Sequence, residues 1–162
     1  MGKTIKIGLI ADTHIPTRLR ELPARIFEIF QGTDYIIHAG DYVRVSVIDE
    51  LQSIAPVIGC VGNMDPSDIR TKLPPIATLE VEKKIILVIH DLWGNPKRLE
   101  GINKKQVDVI VHGHSHKATI QKEENVLIIN PGSPIASIYS GRTVGLLYLT
   151  PNNIEVEIVE LR

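Results

Sequence analysis

Apolar residues fall in short β-branched runs that break off at polar tips, and between the first of these runs the apolar spacing changes from that of strands to that of helices. Ile5 to Ala11 ends in Asp12-Thr13-His14, Tyr35 to Ala39 ends in Gly40-Asp41, and Pro56 to Val61 ends in Gly62-Asn63-Met64-Asp65. Leu22-Pro23 reads as a helix start, with Leu22, Ile26, Ile29 and Phe30 on one face. Val45 to Ile54 reads as a second helix, with Val47, Ile48, Leu51 and Ile54 inward. Strand, polar tip and helix in repetition imply right-handed crossovers and parallel pairing. Pro66 to Pro75 reads as loop. Beyond it, Ala77 to Glu82 and Ile85 to Ile89 read as a hairpin whose second strand ends in His90-Asp91. Pro96 to Gln106 reads as a polar helix leading into a strand from Val107 to Val111, which runs on into Gly113-His114-Ser115-His116. Only strands follow: Ala118 to Gln121, Val126 to Ile129, Val144 to Leu149 and Ile154 to Val159, separated by turn signals.

That is more strands than one sheet holds comfortably. Crossovers and hairpins together imply an α/β architecture of two mixed β-sheets packed face to face and flanked by helices. No repeat, low-complexity tract or linker divides the chain, so one domain over residues 1–162 is expected, long enough to bury a core without staples. The formal charge of −1, with acids and bases interspersed, supplies no basic stripe, and aromatics at 4% supply no stacking platform; no nucleic-acid-binding surface is expected. The lone Cys60 excludes an intrachain disulfide and reads as a buried small hydrophobe. Lys6 and Asp12 interrupt the first apolar run before it resembles a signal segment, and no run reaches transmembrane length. A cytoplasmic protein off the membrane is expected, with a homo-oligomer left open.

Five strand ends carry metal-capable side chains: Asp12 with His14, Asp41, Asn63, His90, and His114 with His116. Turn chemistry alone accounts for any single Asp or Asn at a tip. It does not account for five tips sharing carboxylate, amide and imidazole. A mixed oxygen and nitrogen set without thiolate suits first-row divalent ions, and seven ligands exceed one tetrahedral site, so two ions sharing a carboxylate fit the count. Alternation along an extended segment is expected to point His112, His114 and His116 to one side.

Asp12-x-His14, Gly40-Asp41, Gly62-Asn63, His90 and Gly113-His114-x-His116, in this order, resemble the calcineurin-like metallophosphoesterase superfamily. The length, without large insertions, resembles its small single-domain phosphodiesterase branch. The resemblance implies a four-layer αββα sandwich. It implies that Asp12, His14 and His116 hold one divalent ion, that Asn63, His90 and His114 hold the other, and that Asp41 bridges with an oxygen for each. Manganese is the first choice for both ions, with nickel, cobalt, iron and zinc as alternatives. The implied substrate is a small phosphodiester. Hydroxide generated at the ions, which Asp41, Asn63 and His90 would support, attacks phosphorus in line.

Met64 departs from the pattern, standing where the superfamily commonly has histidine and some small members cysteine. A thioether cannot donate a proton to a leaving oxygen. Asp91, where related sequences usually have glycine, is either a replacement donor or a surface carboxylate. Two other readings remain open: a protein-binding scaffold on the same fold, as in the retromer subunit that resembles these enzymes, and a mononuclear hydrolase. His38 and His112 are expected to hydrogen-bond ligands rather than bind metal, and Asp65 to cap its turn, with orienting Asn63 as the alternative. Trp93 either floors a pocket or covers the core edge. Asn130-Pro131-Gly132-Ser133 reads as a structural turn, since Ser133 has no evident histidine partner.

Overall fold

In the computed structural model, which describes residues 2–94, 106–136 and 141–162, the apolar runs become two five-stranded sheets. The first contains β1 (Ile5–Ile10), β2 (Tyr35–His38), β3 (Val57–Gly59), β9 (Thr143–Thr150) and β10 (Asn153–Glu160), in the order β10-β9-β1-β2-β3. The second contains β4 (Ile76–Val81), β5 (Lys84–Ile89), β6 (Val109–Val111), β7 (Thr119–Glu123) and β8 (Val126–Asn130), in the order β4-β5-β6-β8-β7. β1, β2 and β3 pair in parallel, as helical crossovers require, and the β9-β10 hairpin joins antiparallel along β1. β5, β6 and β8 are likewise parallel, with antiparallel β4 and β7 at the edges. Both sheets are mixed, as the combination of hairpins and crossovers implied.

Period-2 alternation decides what lies between the sheets. Ile5, Ile7 and Leu9 of β1, Ile37 of β2, and Leu147 and Leu149 of β9 pack with Ile86 and Val88 of β5, Val109 and Val111 of β6, and Ile129 of β8. Cys60 is buried in this layer, as a small hydrophobe should be, and burial pushes its thiol pKa far up. The opposite face of β1 and β2, through Ile10 and Ile36, receives α1 (Ala24–Ile29) and α2 (Ser46–Gln52) by way of Ile26, Ile29, Val47 and Leu51. On the outer side of the second sheet, Leu87, Ile89, Ile110 and Ile128 cluster with Leu92 and Val107. The helix expected over Pro96 to Gln106 lies outside the described residues except for Gln106, which sits in a turn.

Two local expectations need correction. The stretch expected as loop contains a one-turn helix, α3 (Ser67–Arg70), too short to show a periodic pattern and anchored by the buried Ile69. The strand expected from Val107 spans only Val109–Val111, although Asp108 just before it still donates its N–H to the Ile85 carbonyl, accepts the Leu127 N–H and takes the Ile85 N–H on its carboxylate. Among the described residues, no helix is long and apolar enough to cross a membrane.

Candidate metal centre

The tips of β1, β2, β5, β6 and β8 meet at one edge and are stitched across the two sheets. Asp12 N–H donates to the Gly40 carbonyl, and His14 N–H to the Asp41 carbonyl, both at 3.0 Å. From the second sheet, the His90 ring nitrogen Nδ1 reaches the Ala39 carbonyl (2.7 Å) and His114 N–H reaches Asp12 Oδ2 (3.0 Å). The Ser133 hydroxyl donates to the Asp12 carbonyl at 2.8 Å.

The expected ligands collect here, though not by strand alternation. Asp12 (φ 55°), His14 (45°), Asp41 (63°), His114 (71°) and His116 (62°) all have left-handed backbones. Each such non-glycine residue costs on the order of 1–2 kcal/mol, which the surrounding hydrogen bonds must offset. His114 and His116 therefore reach the centre through turns. The expectation that His112, His114 and His116 share a side by extended alternation is corrected accordingly, and His112 belongs to neither ligand group below. It is buried, which pulls its pKa down, and meets the ring of Trp93 edge-on at 6.2 Å.

Two groups of ligand atoms lie within coordinating reach of one another: Asp12, His14 and His116, and Asp12, Asp41 and His90. Their geometry shows a shared device. Each aspartate commits one oxygen to a backbone N–H, Asp12 Oδ2 to His114 and Asp41 Oδ1 to Met64 (2.8 Å), and turns the other inward. Asp12 Oδ1 lies 3.7 Å from His14 Nε2, 3.8 Å from His90 Nε2 and 3.5 Å from His116 Nε2. Asp41 Oδ2 lies 3.1 Å from His90 Nε2 and 3.5 Å from His14 Nε2. Asp41 thus stands between the two groups, but through Oδ2 alone rather than one oxygen per side, because Oδ1 is already engaged. Asp12 spans both groups as well. The Asn63 side-chain oxygen completes the open side, 2.9 Å from His90 Nε2 and 3.2 Å from His114 Nδ1.

These donors fit divalent cations. With Nδ1 donating to Ala39, a neutral His90 presents the lone pair of Nε2 toward two oxygen acceptors, Asp41 Oδ2 and Asn63 Oδ1. Acceptors converging without a proton between them are stabilised by a cation. Among the described residues, Asp12 Oδ1 and His14 Nε2 are buried with no hydrogen-bond partner, a costly state unless something positive meets them. A proton can serve at His90. Burial lowers its pKa, but the hydrogen bond to Asp41 and the charges of Asp12 and Asp41 outweigh burial and raise it. Burial conversely raises the Asp41 pKa, and the His90 bond with the Met64 N–H outweighs it and lowers it. At His116, desolvation pulls the pKa down against the pull of Asp12, favouring the neutral, ligating form.

Several supporting residues surpass what the sequence signalled. Asp65 joins two tips by accepting the N–H groups of Asp41 (2.9 Å), Gly62 (2.8 Å) and Val43 (2.8 Å), a reach beyond its own turn. At Gly62 any Cβ would lie 2.1 Å from Asp41 Oδ1, so only glycine lets these tips approach. His38 reaches the ligands indirectly: its Nδ1 accepts the Gly40 N–H, its Nε2 meets the Thr13 hydroxyl, and that hydroxyl reaches the Asp41 carbonyl. Complete burial, with the nearby His90, holds its pKa well below the usual histidine value, which keeps it neutral. Asn130 donates to the Gly113 carbonyl and to Ser115 Oγ, fixing the His114-bearing turn. No sequence signal marked the Arg70 side chain. Its guanidinium binds the carbonyls of Asp65 (2.8 Å), Gly62 (3.2 Å) and Asn63 (3.1 Å).

Met64 is 59% exposed, and Trp93 is 57% exposed with its ring against His112. Asp91 Oδ1 accepts the Gly94 N–H (2.9 Å), and Oδ2 lies 3.9 Å from His114 Nε2. A cavity of about 340 Å³ opens beside Asn63 and His90, bounded also by Val61, Gly62, Arg70, Asp91 and Gly94.

The profile of the calcineurin-like phosphoesterase superfamily domain matches residues 5–151. The chain is 32% identical over 157 residues to a probable metallophosphoesterase of Methanothermobacter thermautotrophicus, covering 94% of this chain and 91% of that protein. It is 26% identical over 159 residues to a phosphodiesterase of Methanocaldococcus jannaschii, covering 88% and 92%. Among solved structures, Vacuolar Protein Sorting 29 from Cryptosporidium parvum superposes with a TM-score of 0.82 at 21% identity, covering 98% of this chain and 92% of that one; this likeness shows the fold.

Proposed function

The chain belongs to the calcineurin-like phosphoesterase superfamily, whose members are metal-dependent hydrolases, and within it we propose a dinuclear phosphodiesterase acting on a small phosphodiester. The observation that carries this reading is the pair of buried acceptors, Asp12 Oδ1 and His14 Nε2, without hydrogen-bond partners among the described residues and set among histidine nitrogens and a second inward carboxylate oxygen. Asp12, His14 and His116 would hold one ion. Asn63, His90 and His114 would hold the other, with Asp41 shared between the two sets. Manganese heads the candidates, and nickel, cobalt, iron and zinc satisfy the same imidazole-rich set. When bound, such ions supply Lewis acidity that polarises a phosphoryl oxygen and acidifies water.

The chain's own residues do the rest. The left-handed tips and the bonds of Asp65, Ser133 and Asn130 hold the ligands before substrate arrives, so little reorganisation remains at the moment of reaction. His90 Nδ1, tied to Ala39, leaves Nε2 as the ligating nitrogen. The exposed side formed by Asn63, Met64 and His114 admits the ester. The diester preference rests on the relative named a phosphodiesterase.

A scaffold role on the same fold has one feature in its favour, the exposed thioether of Met64 where a proton donor is expected. The complete ligand set weighs against it. Elemental analysis of the protein loaded with manganese, paired with hydrolysis of bis(p-nitrophenyl) phosphate, tests the reading. Two ions per chain and metal-dependent turnover are expected. Undiminished turnover after exhaustive chelation would sink the metal mechanism, one ion per chain would favour a mononuclear hydrolase, and two ions without turnover would favour the scaffold.

A further inference from the structure

Arg70 brings a positive charge to the open side of the centre, and three of its five N–H groups are spent on holding a loop. Nε and both hydrogens of Nη2 engage the carbonyls of Asp65, Gly62 and Asn63. None of these bonds goes to a carboxylate. Nη1, with two N–H groups, has no partner among the described residues. The side chain is nonetheless fixed, because three carbonyls clamp it, so little rotamer entropy remains to be lost when Nη1 binds something. It lines the same cavity as Asn63 and His90. At about 340 Å³ that cavity falls within the range of about 300–1,000 Å³ typical of small-molecule sites, more space than the scissile phosphate alone would fill.

We propose that Arg70 is a substrate-binding residue, and that the substrate carries a second anionic group beside the scissile phosphodiester, which Nη1 receives in this cavity. The inference rests on the phosphodiesterase reading and narrows it to a class of ester. Nη1 suits the task because its two remaining N–H groups carry the guanidinium charge, and charge-assisted hydrogen bonds to carboxylate or phosphate oxygens are roughly twice as strong as neutral ones. Asp91 lines the same cavity, with Oδ1 held by the Gly94 N–H. Its charge opposes an anion placed nearby, which confines the second anionic group to the Arg70 side and leaves Asp91 to accept a hydroxyl hydrogen from the organic portion.

The test compares two non-hydrolysable probes, phosphonobutyrate and butylphosphonate, which share the phosphonate and differ by one carboxylate. Their dissociation constants are measured by calorimetry on the manganese-loaded wild type, Arg70→Gln and Asp91→Asn. The wild type is expected to bind phosphonobutyrate about tenfold more tightly, and Arg70→Gln to bring the ratio near one. The ratio is the readout because a loosened Asn63 loop would weaken both probes alike. Asp91→Asn, which keeps the Gly94 contact and removes the like charge, should tighten phosphonobutyrate about threefold without moving butylphosphonate as much. Equal wild-type affinities would overturn the proposal, as would a preference that survives in Arg70→Gln. Turnover of bis(p-nitrophenyl) phosphate, which has no second anion, is followed separately. Its absence with ions bound would count against the phosphodiesterase reading, while the probe ratio still decides the role of Arg70.

Discussion

The buried and the exposed parts of the centre are built on different principles. Asp12, His14, Asp41 and His90 are buried, and Asp12, Asp41 and His90 each have a second atom tied to backbone: Asp12 Oδ2 to His114, Asp41 Oδ1 to Met64 and His90 Nδ1 to Ala39. Asn63, Met64 and His114 are exposed, and the Asn63 side-chain oxygen meets the rings of His90 and His114. The buried part concentrates the charge that binds metal, where a low dielectric strengthens it. The exposed part, where Met64 and Asn63 make few buried contacts, is where substitutions should change chemistry more than fold.

The sharpest way to break this division is Asp41→Ala. Removing the carboxylate that faces both histidines leaves two cations repelling each other without shared charge, and it also frees the Met64 N–H. Both ions should be lost and turnover should fall by at least about 10³-fold, since metal Lewis acidity contributes several kcal/mol. Retention of two ions per chain by elemental analysis would show that Asp12 alone suffices to join them.

On the exposed side the largest effect should come from Met64→His. An aryl phosphodiester departs as a stable phenolate and gains little from protonation, whereas an alkyl ester departs poorly without a proton. A positioned general acid is worth about 10²–10⁴-fold, so kcat/KM for alkyl esters should rise while that for aryl esters barely moves. With metal content checked first, equal leaving-group dependence in both proteins would mean that Asp91, 3.9 Å from His114, already supplies the proton or that departure does not limit the rate.

Asn63→Ala should act more gently. It deletes one neutral ligand from the open side and leaves the buried carboxylates intact. One ion should weaken on the order of 10–100-fold, the range seen for partners one bond removed from a ligand, while the other binds as before. Two calorimetric binding phases, of which one shifts, would sharpen the division; loss of both ions would erase it.

Much of this was legible because strands end where their apolar runs end. The tips at Asp12, Asp41, Asn63, His90 and His114 could be read directly, and too many strands for one sheet implied two. What escaped depended on backbone geometry. The left-handed turns at His114 and His116 leave no mark in residue type, so alternation was the wrong guide there. The bonds of Asp65 to Val43 and of Ser133 to Asp12 span tips far apart in sequence, and α3, a single turn, is too short to repeat an apolar pattern. Arg70 lies in that helix, which is why its reach to the Asn63 loop was invisible.

The smallest effect expected is that of Ser133→Ala, and it tests whether the buried part is held by contacts that do no chemistry. The Ser133 hydroxyl donates to the Asp12 carbonyl and accepts the Ile135 N–H at 3.1 Å. Its proton points at an amide oxygen, and among the described residues no histidine hydrogen-bonds it, so it is not an activated nucleophile. Alanine would delete a buried neutral hydrogen bond worth about 1 kcal/mol and leave the Asp12 carbonyl without this donor, at a cost of about 1–3 kcal/mol. At roughly 2–4 °C per kcal/mol for a chain of this size, Tm should fall measurably. Turnover should change by no more than about threefold, because the Asp12 carboxylate keeps its His114 N–H and its left-handed turn keeps the Gly40 bond. Thermal unfolding and kcat on the same metal-loaded preparation read the two effects together. A protein that holds both ions and melts normally but no longer turns over would make Ser133 part of the reaction, and would move the boundary between holding and reacting into the buried half.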